Sequence, residues 1–153
     1  MKHFKFFFAI VLSSCLTGCK CCDCDGGDCN NSNSYLKVSL DIFKSQIDAR
    51  VNPQIIDYRS DSLYQIGHIP GAINIPVSIT NAKDWKDEDG PIMTQIKELF
   101  NTQEKIFLYG ESGWTAVGIS LPGRVGCIWG KEYTVHLESG FAAWENAGYT
   151  VER

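Results

Sequence analysis

Thiols are the most visible reactive groups in this sequence, and they are concentrated at one end of the chain. Six of the seven cysteines lie within the first 29 residues, and Cys127 is the seventh. Four thiolates could bind a metal ion there, those of Cys21, Cys22, Cys24 and Cys29. Their spacing lacks the paired C-x2-C arrangement of structural zinc sites, and two adjacent cysteines fit one tetrahedral ion poorly. We therefore predict no metal site and no cofactor.

The start of the chain predicts export and lipid attachment. A short basic segment and an apolar stretch are followed by Leu16-Thr17-Gly18-Cys19, which looks like a bacterial lipobox. In a lipobox the signal peptide is removed before the cysteine, and the cysteine carries acyl chains such as palmitate. We therefore predict a lipoprotein signal peptide over residues 1–18, lipidation at Cys19 and a lipid bilayer as partner.

Residues 19–34 are rich in Cys, Asp, Gly, Asn and Ser, a composition typical of a flexible tether. Lys20 follows the lipidated cysteine, where aspartate would signal inner-membrane retention in enterobacteria. This favours the outer membrane of the bacterial envelope over the inner one. The net charge of −4 and the absence of a basic stripe in the sequence argue against nucleic acid as a partner.

Polar groups in the rest of the chain follow two apolar strands. Asp57 and Arg59 come at the end of one, where they could pair or anchor neighbouring loops, and Gly110 to Thr115 follow the other. His68 lies in a tight Gly-His-Ile-Pro turn, so we expect it to hydrogen-bond backbone and not to act as a base. Ser112 is the hydroxyl in the middle of the second segment, but no base is evident for it.

The apolar pattern of the chain predicts the α/β scaffold that positions these residues. Apolar runs and periodicities predict strands at 35–38, 54–57, 72–75, 105–109 and 133–137, and helical segments at 39–47, 61–66, 92–100, from about 115, and 141–147. The helix after Thr115 is expected to break at Pro122-Gly123, and residues 77–91 to form a polar excursion. Strands separated by helices predict a mainly parallel sheet of about five strands with helices on both faces. Sites in such folds lie outside the carboxyl ends of the strands.

Two long motifs give the chain a family resemblance. They are Ile56-Asp-Tyr-Arg59 with Tyr64 and Gly67-His-Ile-Pro-Gly-Ala-Ile-Asn-Ile-Pro76, and the stretch from Gly130 to Trp144. Both resemble the rhodanese-like domain, over residues 35–153, and most of all its small single-domain members exported to the bacterial envelope. The resemblance implies a three-layer rhodanese-like fold, with Phe141 and Trp144 in the core.

The resemblance also implies a loss of chemistry. Active rhodaneses carry sulfur as a cysteine persulfide in a loop that reads roughly Tyr-Cys-x-x-Gly-x-Arg-Ser. Here Tyr109 is followed by Gly110, Glu111, Ser112, Gly113, Trp114 and Thr115. Glycine stands where the nucleophile is expected and threonine where arginine is frequent, while the glutamate adds negative charge and the tryptophan adds bulk. No covalent sulfur carrier can form at residue 110.

Three functions remain open from the sequence. The first is a membrane-anchored, non-catalytic module that binds a protein or a small anion. The second is a sulfurtransferase or thiol-redox enzyme that uses the tether cysteines or Cys127, although Cys127 between Gly126 and Ile128 most simply packs as a small apolar residue. The third is a structural envelope lipoprotein without a ligand.

Overall fold

A computed structural model describes residues 34–112 and 116–153. In this part of the chain five parallel strands form one sheet in the order β1-β5-β4-β2-β3. The strands are β1 Leu36–Val38, β2 Gln54–Asp57, β3 Ala72–Asn74, β4 Ile106–Tyr109 and β5 Thr134–Leu137. The predicted parallel sheet of five strands is confirmed, and β4, the most apolar strand, lies at its centre.

Helices cover both faces of this sheet. They are α1 Leu40–Asp48, α2 Asp61–Ile66, α3 Ala82–Lys86, α4 Pro91–Leu99, α5 Ala116–Trp129 and α6 Gly140–Asn146. Side chains alternate along β2 and β4, so that Ile55 and Phe107 face one layer while Ile56 and Leu108 face the other. The first layer contains α1 and α6, and the second contains α3, α4 and α5. The three-layer arrangement is therefore confirmed.

The polar segment 77–91 is not a plain excursion, because it contains α3 and one fully packed aromatic side chain. Trp85 is 2% exposed and packs with Met93 of α4, while its indole Nε1–H donates to the Ser78 carbonyl at 2.9 Å. One large apolar side chain therefore fixes a helix whose other residues are mainly polar. The charged residues around it concealed this contact in the sequence pattern.

The prediction of a helix break at Pro122-Gly123 is wrong. Helix α5 continues to Trp129 with Pro122 inside it. A proline in a helix interior removes one backbone hydrogen bond and crowds the preceding turn. Leu121, Val125 and Trp129 recur every four residues and are all buried against the sheet. Their packing stabilises the helix enough to outweigh the local preference of the proline.

Two smaller expectations also need correction. The periodicity of the predicted helix at 92–100 puts Leu99 on one apolar face with Ile96, but Leu99 is 48% exposed, whereas Met93 and Ile96 are buried. Tyr133 precedes β5 in a short 3-10 turn and is 44% exposed. Phe141 and Trp144 are core residues, as predicted. Among the described helices, none combines the length and apolar character needed to cross a membrane.

Candidate functional site

The ends of β2 and β4 bring the two predicted segments together. Asp57 lies opposite Tyr109 in the register of these strands, and the Tyr58 amide donates to the Tyr109 carbonyl at 3.1 Å. Arg59 and Gly110, the next residues outward, therefore lie at the same edge of the sheet. This is the carboxyl edge, where parallel α/β folds place their binding sites.

Asp57 and Arg59 form a buried ion pair, as the sequence suggested. Arg59 Nε lies 3.0 Å from both carboxylate oxygens of Asp57, and Nη2 lies 2.6 Å from Oδ2. Nη2 also donates to the Gly67 carbonyl at 2.6 Å. Burial alone would lower the pKa of Arg59, but the hydrogen bonds and charge of Asp57 raise it overall. The guanidinium is thus committed to internal partners.

Aromatic rings and one asparagine surround this pair. The Arg59 guanidinium lies 3.9 Å from the Phe141 ring centroid, a cation–π distance. Asn74 Nδ2 donates to the carbonyls of Asp57 and Arg59 at 2.9 and 3.0 Å. The Tyr109 hydroxyl accepts the Ile69 amide at 3.0 Å, and burial, followed by the charge of Asp57, raises the pKa of Tyr109.

Gly110 has no room for a side chain. A Cβ atom built on it would lie 2.1 Å from Cε2, 2.4 Å from Cζ and 2.7 Å from the hydroxyl oxygen of Tyr58. Contacts this short between heavy atoms are repulsive, so the Tyr58 ring fills the volume that a side chain at residue 110 would need. The Gly110 carbonyl accepts the Phe141 amide at 2.8 Å, which holds this backbone against α6.

Tyr58 is itself held by a buried histidine. Its hydroxyl lies 2.9 Å from Nε2 of His136, and both side chains are buried. Burial, followed by the charge of Lys37, lowers the pKa of His136 to about 3, so its ring is neutral at physiological pH. Burial likewise raises the pKa of Tyr58, with smaller effects from Tyr35 and Asp57. The pair forms a neutral hydrogen-bonded unit.

Within residues 34–112 and 116–153, two polar atoms at this unit have no hydrogen-bond partner. They are Nδ1 of His136 and the hydroxyl of Tyr35, whose ring stands edge-on to His136 with centroids 5.6 Å apart. Burying such atoms without a partner costs free energy, commonly about 1–3 kcal/mol. The polar atoms behind Gly110 are therefore less completely hydrogen-bonded than those of the Asp57–Arg59 pair.

The first residues of the loop after β4 lie against the start of α6. Gly140 has φ 71°, and a Cβ on it would lie 2.1 Å from the Glu111 carbonyl oxygen. Glycine is required there both for the left-handed backbone and for the close approach. The Glu111 side chain is exposed and Ser112 is half-buried. The remaining predicted loop residues, Gly113, Trp114 and Thr115, lie outside the described part of the chain.

A cavity of about 370 Å³ opens beside Glu111. The described residues that line it include Tyr58, Leu63, Val77, Ile79, Glu111 and Val117. Leu63 and Ile79 are 37% and 70% exposed, so they form the rim, whereas Val117 is buried. Its size falls at the lower end of the range for small-ligand pockets, about 300–1,000 Å³. Aliphatic groups dominate the wall.

His68 does not belong to this cavity. Its Nδ1 lies 3.1 Å from the Tyr64 carbonyl, its ring stacks on Tyr64, and its amide donates to the Glu152 carbonyl at 2.9 Å. These contacts agree with the expected backbone hydrogen bonding. His68 joins the turn before β3 to the end of the chain, while Nε2 lies 3.6 Å from a Glu152 carboxylate oxygen.

Cys127 lies far from the edge that carries Gly110. It is half-buried in the last part of α5. It follows Ala116 by eleven residues, which corresponds to roughly 16 Å along the helix axis. Its neighbour Gly126 packs closely on the chain entering the domain, since a Cβ there would lie 1.9 Å from the Ser34 carbonyl oxygen. In residues 34–112 and 116–153, no cluster of three or more His, Cys, Asp or Glu side chains is arranged to hold a metal ion.

Sequence reasoning did not assign roles to Tyr58 and His136. The motif from Ile56 to Arg59 contains Tyr58, and a large aromatic residue between Asp57 and Arg59 at a strand end indicates a side chain at the site. His136 lies in the middle of β5, where a polar residue between Val135 and Leu137 indicates a buried partner. Neither signal identifies Gly110 as the residue over which the tyrosine packs.

Relatives of known identity support the fold. A curated protein of Bacillus subtilis (strain 168), "Putative sulfur carrier protein YrkF", is 29% identical over 83 residues, which are 54% of this chain and 38% of that protein. The chain thus matches well under half the length of this relative.

Solved structures extend the likeness over most of the chain. The Alr3790 protein of Anabaena sp. is 23% identical with a TM-score of 0.55, covering 75% of this chain and 81% of that one. A thiosulfate sulfurtransferase of Pseudomonas aeruginosa is 17% identical with a TM-score of 0.52, covering 82% of this chain and 23% of that one. Such identities show a shared fold. The family model of the Rhodanese-like domain matches residues 39–147, and the chain therefore belongs to the rhodanese-like domain family.

Proposed function

We propose that this protein is a membrane-anchored rhodanese-like lipoprotein whose domain binds a partner and carries out no sulfur transfer at the loop after β4. The observation that carries the proposal is the Tyr58 ring, which occupies the space beside Gly110 that a nucleophilic side chain would need. Glycine supplies no thiol, and the hydrogen bond between Tyr58 and His136 holds the ring in place.

A sulfur carrier at this edge would need three things. It would need a thiolate, a space for the added sulfur and a surrounding that stabilises negative charge. Residue 110 lacks the thiol, Tyr58 fills the space, and Arg59 is engaged by Asp57. The exposed carboxylate of Glu111 lies beside the same position. These features support a binding role for a scaffold that retains the fold of sulfurtransferases.

The test is an assay of thiosulfate:cyanide sulfurtransferase activity on soluble residues 20–153 and 30–153. We expect no turnover above buffer for either protein. Turnover that persists in residues 30–153 with Cys127→Ser, a protein without any thiol, would contradict the proposal, since some other group at this edge would then be reactive.

Anchoring is a separate part of the proposal and rests on the lipobox at Cys19. Several acyl chains attach a protein firmly, because each buried methylene contributes about 0.8 kcal/mol. Labelling with radioactive palmitate in a bacterial host should mark the full chain, and Cys19→Ala should abolish the label. Separation of the envelope membranes should place the labelled protein in the outer-membrane fraction. Full labelling of the alanine variant would disprove acylation at this residue.

A second candidate function is thiol chemistry at the other end of the domain. Ser34 packs on Gly126, directly beside Cys127, and a fully extended chain allows Cys29 about 17 Å of reach from Ser34. The likeness to a Bacillus protein named as a sulfur carrier is consistent with this reading. Turnover in residues 20–153 that is lost with Cys127→Ser or without residues 20–29 would favour it over the binding module.

A further inference from the structure

The cavity beside Glu111 has the wrong electrostatics for an anion. Its wall is formed largely by the aliphatic side chains of Leu63, Val77, Ile79 and Val117 and by the Tyr58 ring. Only Arg59 and Glu111 among the described lining residues carry charge. Because so few charged groups border an otherwise apolar wall, the charge that remains unbalanced at the mouth decides which ligand charge is favoured.

The unbalanced charge is negative. Arg59 donates to both oxygens of Asp57, which are buried with it, so its positive charge is matched there. Glu111 is exposed and forms no salt bridge with any residue of the described ranges. Asp57 therefore balances the charge of Arg59, and the carboxylate of Glu111 leaves one net negative charge at this cavity.

An aliphatic wall with a carboxylate at its mouth is complementary to a long basic side chain. Lysine has a four-carbon apolar stem and an ammonium head, and it commonly buries the stem while the head stays at the surface. The exposed side chains of Leu63 and Ile79 at the rim offer apolar surface for the stem. Glu111, at the same opening, offers a partner for the head.

We propose that this cavity binds a lysine side chain of a partner protein, with its stem against Leu63, Val77 and Ile79 and its ammonium group at Glu111. The inference rests on the proposed function, since it names the chemistry of the partner that the non-catalytic module binds. Of the two ligands left open by the sequence, a protein or a small anion, the inference favours the protein. A small anion is disfavoured because Asp57 engages Arg59 and Glu111 repels negative charge.

The experiment uses the purified mature lipoprotein in non-ionic detergent and three fluorescein-labelled, capped pentapeptides. The peptides are identical except for a central lysine, norleucine or glutamate. Fluorescence polarisation should give the tightest binding for lysine, weaker binding for norleucine, which has the stem without the charge, and the weakest for glutamate. Equal binding of the lysine and norleucine peptides would overturn the assignment of Glu111.

Variants separate the two halves of the proposed contact. Glu111→Gln should weaken the lysine peptide about threefold, the size expected for one partly exposed charge pair, and leave the norleucine peptide unchanged. Ile79→Ser should weaken both peptides alike. Glu98→Gln, an exposed glutamate on α4 outside the cavity, is the matched control and should change neither.

Two further outcomes would overturn the inference and one would overturn the function beneath it. Preference for the glutamate peptide would mean that an anion is recognised. Binding of free butylammonium without binding of the lysine peptide would mean that the ligand is a small amine and not a protein. Sulfurtransferase activity of the thiol-free domain would instead reject the non-catalytic role, whichever peptide binds.

Discussion

The ends of β2 and β4 lie side by side but are built in opposite ways. At the end of β2, two buried charges satisfy each other, and Arg59 also donates to the Gly67 carbonyl. At the end of β4, Gly110 contributes no side chain, and the neutral Tyr58–His136 pair fills the space. Among the described residues, neither Nδ1 of His136 in this pair nor the hydroxyl of the adjacent Tyr35 has a hydrogen-bond partner.

This difference shows that charge holds the backbone at the end of β2, whereas neutral side chains fill the space at the end of β4. The Asp57–Arg59 pair holds the turn that carries Gly67 and the backbone that leads into the cavity, so its loss would disturb the whole edge. The Tyr58–His136 pair occupies a volume and carries no charge at neutral pH. The first pair therefore holds this edge of the sheet together, while the second determines whether a side chain fits at residue 110.

The largest expected effect comes from breaking the charged pair. Asp57→Ala leaves the Arg59 guanidinium buried without its counter-charge, which typically costs about 3–5 kcal/mol of unfolding free energy. Urea unfolding followed by circular dichroism measures it. Asp48→Ala is the matched control, because it breaks the exposed Lys44–Asp48 pair and should cost less than about 0.5 kcal/mol. A similar loss in both variants would refute the contrast between the two strand ends.

A smaller effect is expected from inserting a side chain at residue 110. Gly110→Cys forces Tyr58 aside and should cost about 1–3 kcal/mol through overpacking. Tyr58→Val makes room for the thiol at the expense of apolar packing. The double variant should therefore be less destabilised than the sum of the two single variants, by about 0.5–3 kcal/mol. Additive losses in urea unfolding would mean that Tyr58 does not occupy the space of the side chain.

The same two variants test whether a thiol at residue 110 can accept a sulfur atom from thiosulfate. With Tyr58→Val and Gly110→Cys together, the thiol has space, and incubation with thiosulfate followed by mass spectrometry shows whether it gains a sulfur atom. Adding Glu111→Arg should lower the pKa of the thiol, because an attraction replaces a repulsion. We expect Gly110→Cys alone to gain the least sulfur, since Tyr58 occupies the position.

The sequence predicted those features of the molecule that depend on neighbouring residues. Alternation and apolar runs located all five strands, and the Asp57–Arg59 pair spans only two residues. The contact between Tyr58 and Gly110 joins residues 52 positions apart, and no local pattern encodes it. The predictions for residues 77–91 and for Pro122 were wrong for a related reason. Tertiary packing buries Trp85 despite the polar residues around it, and it keeps α5 helical despite the helix-breaking tendency of Pro122.

The last predicted effect is a pH dependence that comes from the neutral pair. The pKa of His136 is lowered to about 3 in the fold, while a histidine in the unfolded chain has a pKa near 6.5. Below pH 6.5 the unfolded chain binds a proton that the folded chain does not, so stability falls as the pH falls towards 3. Between pH 7.5 and 5.5 this group alone should remove about 1.4 kcal/mol.

His136→Gln should abolish that part of the pH dependence, whereas His68→Gln, at a histidine outside the pair, should leave it in place. Each variant is compared with its own stability at pH 7.5 in urea unfolding, so that packing losses cancel. Tyr58→Phe removes the hydroxyl that contacts His136 Nε2 and should cost about 1 kcal/mol at pH 7.5. If the loss of stability between pH 7.5 and 5.5 survives His136→Gln unchanged, the histidine is not held neutral. The end of β4 would then carry charge like the end of β2, and the contrast between the two strands would disappear.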